Sequence, residues 1–162
     1  MRCCQPFVHR VVSTNMEITS TFENDQEIPV RYTCMGLNIS PPFTFHYVPS
    51  AAKSLVLIVE DVDATPAPWR HWHVFNIPPA TTSVAEGTVP AGGTEGLCNN
   101  HTFGYEGPCP KYFSGTHHYW FRLYALDTML DLPPESEPDE VLNAMQGHLL
   151  ETATLIGTCK QS

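Results

Sequence analysis

Two stretches of this chain concentrate the side chains that can do chemistry. Residues 61–76 contain two aspartates and two histidines, and residues 104–119 contain three glycines, two prolines and two adjacent histidines. Carboxylates and imidazoles exchange protons and hydrogen bonds with polar ligands, and glycine-rich loops can turn backbone N–H groups toward an anion. We therefore expect the two stretches to line one small polar pocket.

The acids of the first stretch are Asp61 and Asp63, which come after the apolar run 55–59 and Glu60. Residues two apart on a strand point to the same face, so both carboxylates are expected on one side of the strand end. Either acid could bind a ligand or instead cap a turn by accepting backbone N–H bonds. The sequence favours ligand binding for Asp61 and leaves the two interpretations equal for Asp63.

The histidines of the first stretch, His71 and His73, are also two residues apart, and the same period predicts that they share a face. Such a pair can hold a metal, with His117 or His118 as a third ligand. The residues that follow, 74–78, bring no acid to complete a familiar metal set. We therefore predict no metal and no other cofactor, and keep a histidine-based metal site as an alternative.

The second stretch has the composition of an anion-binding loop. Gly104, Gly107 and Gly115 permit backbone conformations that present N–H groups, and Pro108 and Pro110 restrict the loop's shape. A plain rigid connector has the same composition. Tyrosines and histidines on both sides of the loop supply further donors, and this favours the binding interpretation.

Length and charge restrict the class of protein. A chain of 162 residues fits one domain, which we place at 16–162, with residues 1–15 as a loose tail. The net charge of −9 disfavours nucleic acid as a partner. No apolar run approaches the roughly 20 residues that span a bilayer, and 1–15 lack a secretory signal's apolar core, so we predict no integral membrane segment and a cytoplasmic location.

The chain has six cysteines and no C-x-x-C pair, which argues against a zinc ribbon. A core of this size needs no disulfide, so reduced thiols in a cytosol are the favoured interpretation. If a disulfide forms, Cys34 with Cys109 is the pair to examine.

The elements that must position the pocket are mainly strands, because 15 prolines and 10 glycines divide the chain into short pieces. Branched and aromatic residues predict strands over 17–22, 30–34, 43–47, 54–60, 71–77 and 118–126. Apolar residues at helical spacing from Val141 to Ile156 predict a C-terminal amphipathic helix that begins at Pro138 and ends at Gly157.

Several sequence motifs, which follow one another in a fixed order along the chain, resemble those of a known family. They are Asp-x-Asp-Ala, a histidine five residues before Asn-Ile-Pro, Phe-Gly-Tyr-x-Gly-Pro-x-Pro, Gly-Thr-His-x-Tyr-x-Phe and Leu-Tyr-Ala-Leu-Asp, at 61–64, 71–78, 103–110, 115–121 and 123–127. With Gly36-x-Asn38-Ile39-Ser40, the chain resembles the phosphatidylethanolamine-binding proteins, in their bacterial and archaeal Raf kinase inhibitor-like branch. The resemblance extends from about Met16 to Gly157.

The resemblance implies a mainly β fold, with a central antiparallel sheet, a second smaller sheet and peripheral helices. It also implies a pocket for phosphate-bearing head groups. Carried over by motif, the ligand-binding residues are Asp61, Asp63, His71, Gly107, Pro108, His117 and Tyr119. The chain departs from the family pattern at Val62 and Thr65, which replace prolines, and in a longer, more aromatic segment 111–114.

The primary hypothesis is a non-catalytic binding protein. In it, the anion is held by His71, His117, the Tyr119 hydroxyl and backbone N–H near Gly107. The resemblance implies an alternative, a regulatory inhibitor of a kinase or protease that uses the pocket rim, with Lys111, Tyr112 and Phe113, as its contact surface. A metal-dependent enzyme built on the histidines is the third hypothesis. The sequence leaves the oligomeric state open, a homodimer included.

Overall fold

The structure is a computed structural model, and it describes residues 14–161. The predicted tail over 1–15 therefore lies almost wholly outside the described residues. The strands are β1 Glu17–Thr19, β2 Gln26–Glu27, β3 Phe43–His46, β4 Ser54–Asp61, β5 Trp69–Ile77, β6 Ser83–Val84, β7 Thr94–Glu95, β8 Thr116–Leu126 and β9 Leu149–Lys160. The one α-helix of the described residues, α1, is Pro138–Met145, and short 3₁₀ helices lie at Val30–Tyr32 and Pro110–Tyr112.

Two sheets form the fold, as predicted. The larger has six strands in the order β2-β9-β8-β4-β5-β7, and the smaller has three in the order β1-β3-β6. Neighbouring strands are antiparallel except β2, which pairs in parallel with β9. The chain is thus mainly β, with a central sheet, a smaller second sheet and a helix near the C-terminus.

Strand β4 lies in the middle of the large sheet and is buried over its whole length. Alternate residues serve two cores, because successive side chains point to opposite faces. The side chains on the face of Leu57 lie in the core that the small sheet covers. Val56 and Ile58, on the other face, lie in a second core with Val141 and Met145 of α1. Burial on both faces explains why residues 55–59 of β4 are a continuous apolar run.

The predicted C-terminal helix is correct only for its first half. Helix α1 ends at Met145, and Gly147, with φ of 82°, lies in the turn that follows. The segment predicted to continue the helix is β9, in which Ala153, Leu155 and Cys159 are buried at a period of two. Apolar residues at both spacings made the segment ambiguous, and pairing with the whole of β8 decides for the strand.

The predicted strand over 30–34 is also wrong. Tyr32 N donates to Pro29 O at 2.9 Å and Thr33 N to Val30 O at 3.0 Å, which closes a 3₁₀ turn. The Thr33 hydroxyl donates to Val30 O as well, at 2.8 Å. This local side-chain bond stabilises the turn over an extended conformation.

The interpretation of all cysteines as reduced is wrong for one pair. Cys34 and Cys109 form a disulfide that joins positions 75 residues apart. Cys98 and Cys159 are free and buried. Within the described part of the chain, no helix is long and apolar enough to cross a membrane.

Candidate functional site

A cavity of about 540 Å³ opens at one end of the large sheet, where β4 ends and β5 and β8 begin. The strand register places residues of three strands side by side at the cavity, because Asp61 of β4 is opposite Trp69 of β5 on one side and Tyr119 of β8 on the other. The cavity is lined by Asp61, Asp63, Ala64, Thr65, Trp69, His71, Asn100, Glu106, Gly107, Cys109, Tyr112, Phe113, Ser114, His117 and Tyr119. Six of the seven predicted site residues are in this set, and Pro108 is not.

Asp61 is buried and both of its carboxylate oxygens have partners. Oδ2 accepts a hydrogen bond from His117 Nδ1 at 2.6 Å, and Oδ1 accepts one from Asp63 N at 3.0 Å. The second bond closes the turn after β4, and the first fixes the imidazole of His117. Asp61 therefore caps a turn, which was the less favoured of the two interpretations from sequence, and it also orients a site histidine; ligand binding by Asp61 stays a prediction.

His71 is buried and held from the opposite wall. Its Nδ1 lies 2.7 Å from the carbonyl oxygen of Glu106, which can only accept, so Nδ1 carries the proton. Burial is the main cause that lowers the pKa of His71 below its ordinary value. The apo protein thus holds a neutral imidazole whose Nε2 is unprotonated. The ring meets that of Tyr119 edge-on, with centroids 5.2 Å apart.

The expectation that His71 and His73 share a face is wrong. The pairing of β4 with β5 shifts between Val59 and Glu60, where Trp72 is opposite Val59 but Arg70 is opposite Glu60. This β-bulge leaves His71 as the extra residue and breaks the two-residue alternation. His71 lines the cavity, whereas His73 is fully buried and stacks on Phe75 of the second core.

The bulge removes the metal site that the sequence offered as an alternative, because its two central ligands lie on opposite faces of the sheet. Among residues 14–161, no three histidine, cysteine or acidic side chains are grouped so that they could hold a metal ion.

Asp63 lies at the edge of the cavity and is partly exposed. Its Oδ2 accepts from the backbone N of His118 at 2.8 Å and from Nδ1 of the same residue at 2.7 Å. Burial by itself would raise the pKa of Asp63, but the hydrogen bonds from His118 outweigh it and lower the pKa. His118 is not in the cavity lining, so the adjacent histidines do point to different sides, as predicted.

Tyr119 forms the floor of the cavity and is almost fully buried. Burial, and next the nearby Asp61 carboxylate, raise its pKa far above the ordinary tyrosine value. The phenol therefore keeps its proton at any physiological pH and remains a hydrogen-bond donor.

The loop after Gly104 is held against the segment that contains Asn38. Gly107 N donates to Asn38 Oδ1 at 2.8 Å. The expectation that this N–H faces a ligand is therefore wrong. A Cβ on Gly107 would clash with the carbonyl oxygen of Tyr32, and close packing therefore requires glycine there. Pro108 is buried behind the loop, where its carbonyl accepts from Cys34 N at 3.0 Å.

Sequence reasoning missed several site residues. The Glu106 carbonyl orients His71, and Asn38 holds Gly107; both are inside motifs whose glycines and prolines drew attention instead. Phe113 stacks on the His117 ring, with centroids 3.9 Å and planes 16° apart. It was predicted as part of a protein-contact surface, and no spacing rule indicates that it covers a histidine.

The fold and the cavity define a class of two-sheet β proteins with a polar pocket at one end of the central sheet. Comparison with known proteins identifies the class. The family model described as phosphatidylethanolamine-binding protein matches residues 18–160. The chain belongs to this family, as its motifs indicated.

Individual relatives agree with this assignment. A UPF0098 protein of Methanothermobacter thermautotrophicus is 51% identical over 144 residues, which cover 86% of this chain and 94% of that protein. The crystal structure of CT736 of Chlamydia trachomatis, described as a homologue of phosphatidylethanolamine-binding protein, has a TM-score of 0.86 at 40% identity and covers 93% of this chain and 100% of its own. Escherichia coli YbcL, described as a member of the mammalian family, has a TM-score of 0.84 at 26% identity and covers 91% and 99%.

Proposed function

We propose that the cavity binds phosphate-bearing head groups and does not alter them chemically. One observation carries the proposal: two histidines from different strands line one cavity, each with Nδ1 tied to a fixed oxygen. His71 is tied to Glu106 O and His117 to Asp61 Oδ2. In both rings Nε2 is the atom left for a ligand, because it has no hydrogen-bond partner among the described residues.

The protonation state of these rings controls the binding of an anion. A neutral imidazole whose Nδ1 carries the proton offers only a lone pair at Nε2, which opposes an anionic oxygen. Protonation turns Nε2 into a charged donor. We therefore expect affinity for phosphate to rise as pH falls through about 6.5, the ordinary histidine pKa. Because burial lowers the pKa of His71, its contribution comes at more acid pH unless the bound anion offsets the burial.

The carboxylates of the cavity favour a head group that also carries a positive charge. Asp63 and Glu106 line the same cavity as the two histidines, and Glu106 Oε2 accepts only from Asn100 Nδ2, at 2.8 Å, among the described residues. An ammonium group can neutralise a carboxylate that a bare phosphate would meet as a like charge. This supports phosphoethanolamine over inorganic phosphate as the better ligand.

Titration calorimetry at pH 5.8 and 7.5 tests the proposal with inorganic phosphate, phosphoethanolamine and phosphocholine. His71→Ala and His117→Ala should each lose binding, and Tyr119→Phe should weaken it. His148→Ala is the matched control, because His148 is exposed, pairs with Asp127 at 2.8 Å and is outside the cavity lining. Affinity that is equal at both pH values would contradict the histidine mechanism, and no binding by the parent protein would reject the proposed function.

One observation favours a second candidate function, the regulation of a kinase or protease through the rim of the cavity. Tyr112 is 85% exposed and Trp69 is 41% exposed, and both line the cavity mouth. Exposed aromatic side chains are enriched at protein interfaces. A triple alanine variant at 111–113 should lose a captured partner that the Leu149→Ala/Leu150→Ala control, changed at two exposed apolar residues of β9, retains.

The non-catalytic part of the proposal has support from Cys109. It is the one cysteine in the cavity lining, and its sulfur is bonded to Cys34, so it is no nucleophile in this state. The cytoplasmic location stays a prediction. The disulfide favours an oxidising compartment, and one relative, LppC of Mycobacterium tuberculosis, 39% identical over 137 residues, is named as a lipoprotein.

A further inference from the structure

The rim of the cavity, defined as residues 109–115, is attached to the rest of the protein at few points. Cys109 is bonded to Cys34, Phe113 stacks on His117 and packs against the core that the small sheet covers, and Gly115 O accepts from Gln161 N at 3.0 Å. Between Cys109 and Phe113, the hydrogen bond that the structure shows is internal, from Tyr112 N to Cys109 O. The disulfide is therefore the main attachment of the first half of the rim.

The loop immediately before the rim is held differently. Tyr105 Oη donates to Tyr32 O at 2.9 Å, Gly107 N to Asn38 Oδ1 at 2.8 Å, and Cys34 N to Pro108 O at 3.0 Å. These three hydrogen bonds do not need the disulfide. The walls formed by Asp61, His71 and Tyr119 are likewise on β4, β5 and β8.

We propose that the Cys34–Cys109 disulfide is a redox latch, which holds the first half of the rim, residues 109–112, in place when oxidised and releases it when reduced. The inference rests on the proposed function, because the released rim is one wall of the ligand cavity. In the step, a dithiol reductant gives two electrons and two protons. The Cys34–Cys109 bond breaks to two thiols as the dithiol forms its own disulfide. Both cysteines are partly exposed, so a small thiol can reach them.

Release of the rim separates ligands by size. Inorganic phosphate between His71 and His117 touches mainly groups on strands, so its affinity should change less than about twofold. A longer ligand such as glycerophosphoethanolamine reaches Tyr112, in the half of the rim that the disulfide attaches, and its binding must then order this side chain again. We expect that cost to weaken its affinity about tenfold in the reduced protein. The latch thus regulates which head groups the cavity retains.

Limited trypsin digestion tests the latch without any ligand. Lys111 lies in the middle of the rim and is exposed, and Lys53, before β4, is exposed as well and remote from the disulfide. Cleavage after Lys111, measured against cleavage after Lys53 in the same digest, should accelerate about tenfold when Cys34 and Cys109 are reduced. Peptide mass spectrometry with a maleimide label verifies the state of both cysteines. An unchanged ratio would overturn the latch.

Calorimetry with both ligands tests the consequence for binding. The oxidised protein, the reduced protein and Cys34→Ser/Cys109→Ser are compared, and the double variant should match the reduced protein with or without reductant. Circular dichroism shows that each is folded at the assay temperature, and the reduced parent serves if the variant does not fold. Equal affinities of glycerophosphoethanolamine in both redox states overturn the latch while phosphate binding upholds the proposed function. No binding of either ligand in either redox state overturns the proposed function and the effect of the latch on ligands, and the digestion alone then decides whether the rim is released.

Discussion

His117 and Asp61 lie on neighbouring strands of the large sheet, and Nδ1 of the imidazole is 2.6 Å from Oδ2 of the carboxylate. The other carboxylate oxygen accepts the backbone N–H of Asp63 at 3.0 Å. One buried side chain thus connects the turn after β4 to the orientation of a ligand-facing ring. A defect in that turn would reach the cavity through this carboxylate.

Asp61→Asn tests this connection. The amide keeps the size of the side chain but removes the charge of the acceptor that orients His117 through Nδ1. We expect phosphate affinity at pH 6 to fall about tenfold, which corresponds to about 1.4 kcal/mol, in calorimetry. Asp127→Asn is the matched control, because Asp127 pairs with His148 at 2.8 Å outside the cavity lining. The variant also removes a like charge, so tighter phosphate binding would contradict the positioning role.

Asn38→Gly tests how the loop at Gly107 is held. Asn38 has φ of 56°, a conformation that glycine adopts freely, so the variant removes the side-chain acceptor and keeps the backbone. We expect the free energy of unfolding to fall by about 1 to 3 kcal/mol, because the buried N–H of Gly107 loses its partner. Urea denaturation measures the loss.

Asp25→Gly is the control for Asn38→Gly, since Asp25 has φ of 62°, lies in an exposed turn and is not in the cavity lining. Equal stability of the two variants would show that the bond to Gly107 contributes nothing. Phosphoethanolamine binding should weaken in Asn38→Gly alone.

His73 makes the stability of the protein depend on pH. Burial lowers its pKa to about 4, whereas an unfolded chain has the ordinary value of about 6.5. The unfolded state therefore binds a proton first as pH falls, and the contribution of the neutral ring is lost progressively from pH 6.5 down to 4. The loss should reach about 3 kcal/mol.

Urea denaturation between pH 7 and 4 measures that dependence in the parent and in His73→Leu. The variant should lose less stability on acidification than the parent, because its core residue binds no proton. His101→Leu, at an exposed histidine that pairs with Glu137 at 2.9 Å, is the control and should keep the steeper dependence. Parallel curves for the parent and His73→Leu would exclude a buried neutral imidazole.

Loss of the disulfide should destabilise the protein independently of any effect on ligands. Chain-entropy arguments for a link across 75 residues predict a loss of about 4 kcal/mol in the free energy of unfolding. Denaturation of Cys34→Ser/Cys109→Ser measures it, and added reductant should leave the variant's midpoint unchanged. A midpoint equal to that of the oxidised parent would show that the link does not restrict the unfolded chain.

Sequence patterns predicted the parts of the fold in which one signal dominates. The apolar run of β4 and the alternation in β8 are unambiguous, and the motifs predicted a shared pocket for Asp61, His71, His117 and Tyr119, which line one cavity. Leu149–Lys160 was different, because its apolar residues fit helical and strand periods equally and only pairing with β8 distinguishes them.

Other features depend on contacts that no local pattern encodes. The N–H of Gly107 turns toward Asn38, which is 69 residues away in the chain, and Cys34 meets Cys109 only when the two loops that contain the 3₁₀ helices lie side by side. The stacking of Phe113 on His117 likewise depends on how the rim folds back over β8. Such contacts are consequences of the tertiary fold.

The extra residue in β5 has a consequence for how this strand tolerates change. The side chains of β5 alternate between the two faces of the sheet, and the bulge reverses the phase of this alternation. His71 therefore faces the cavity, whereas His73 faces the second core. Deleting Arg70 would restore a regular strand in which His71 takes the register position opposite Glu60 and points to the face of the second core. The sheet and the position of His73 would be kept, but the cavity would lose one of its two ligand-facing rings.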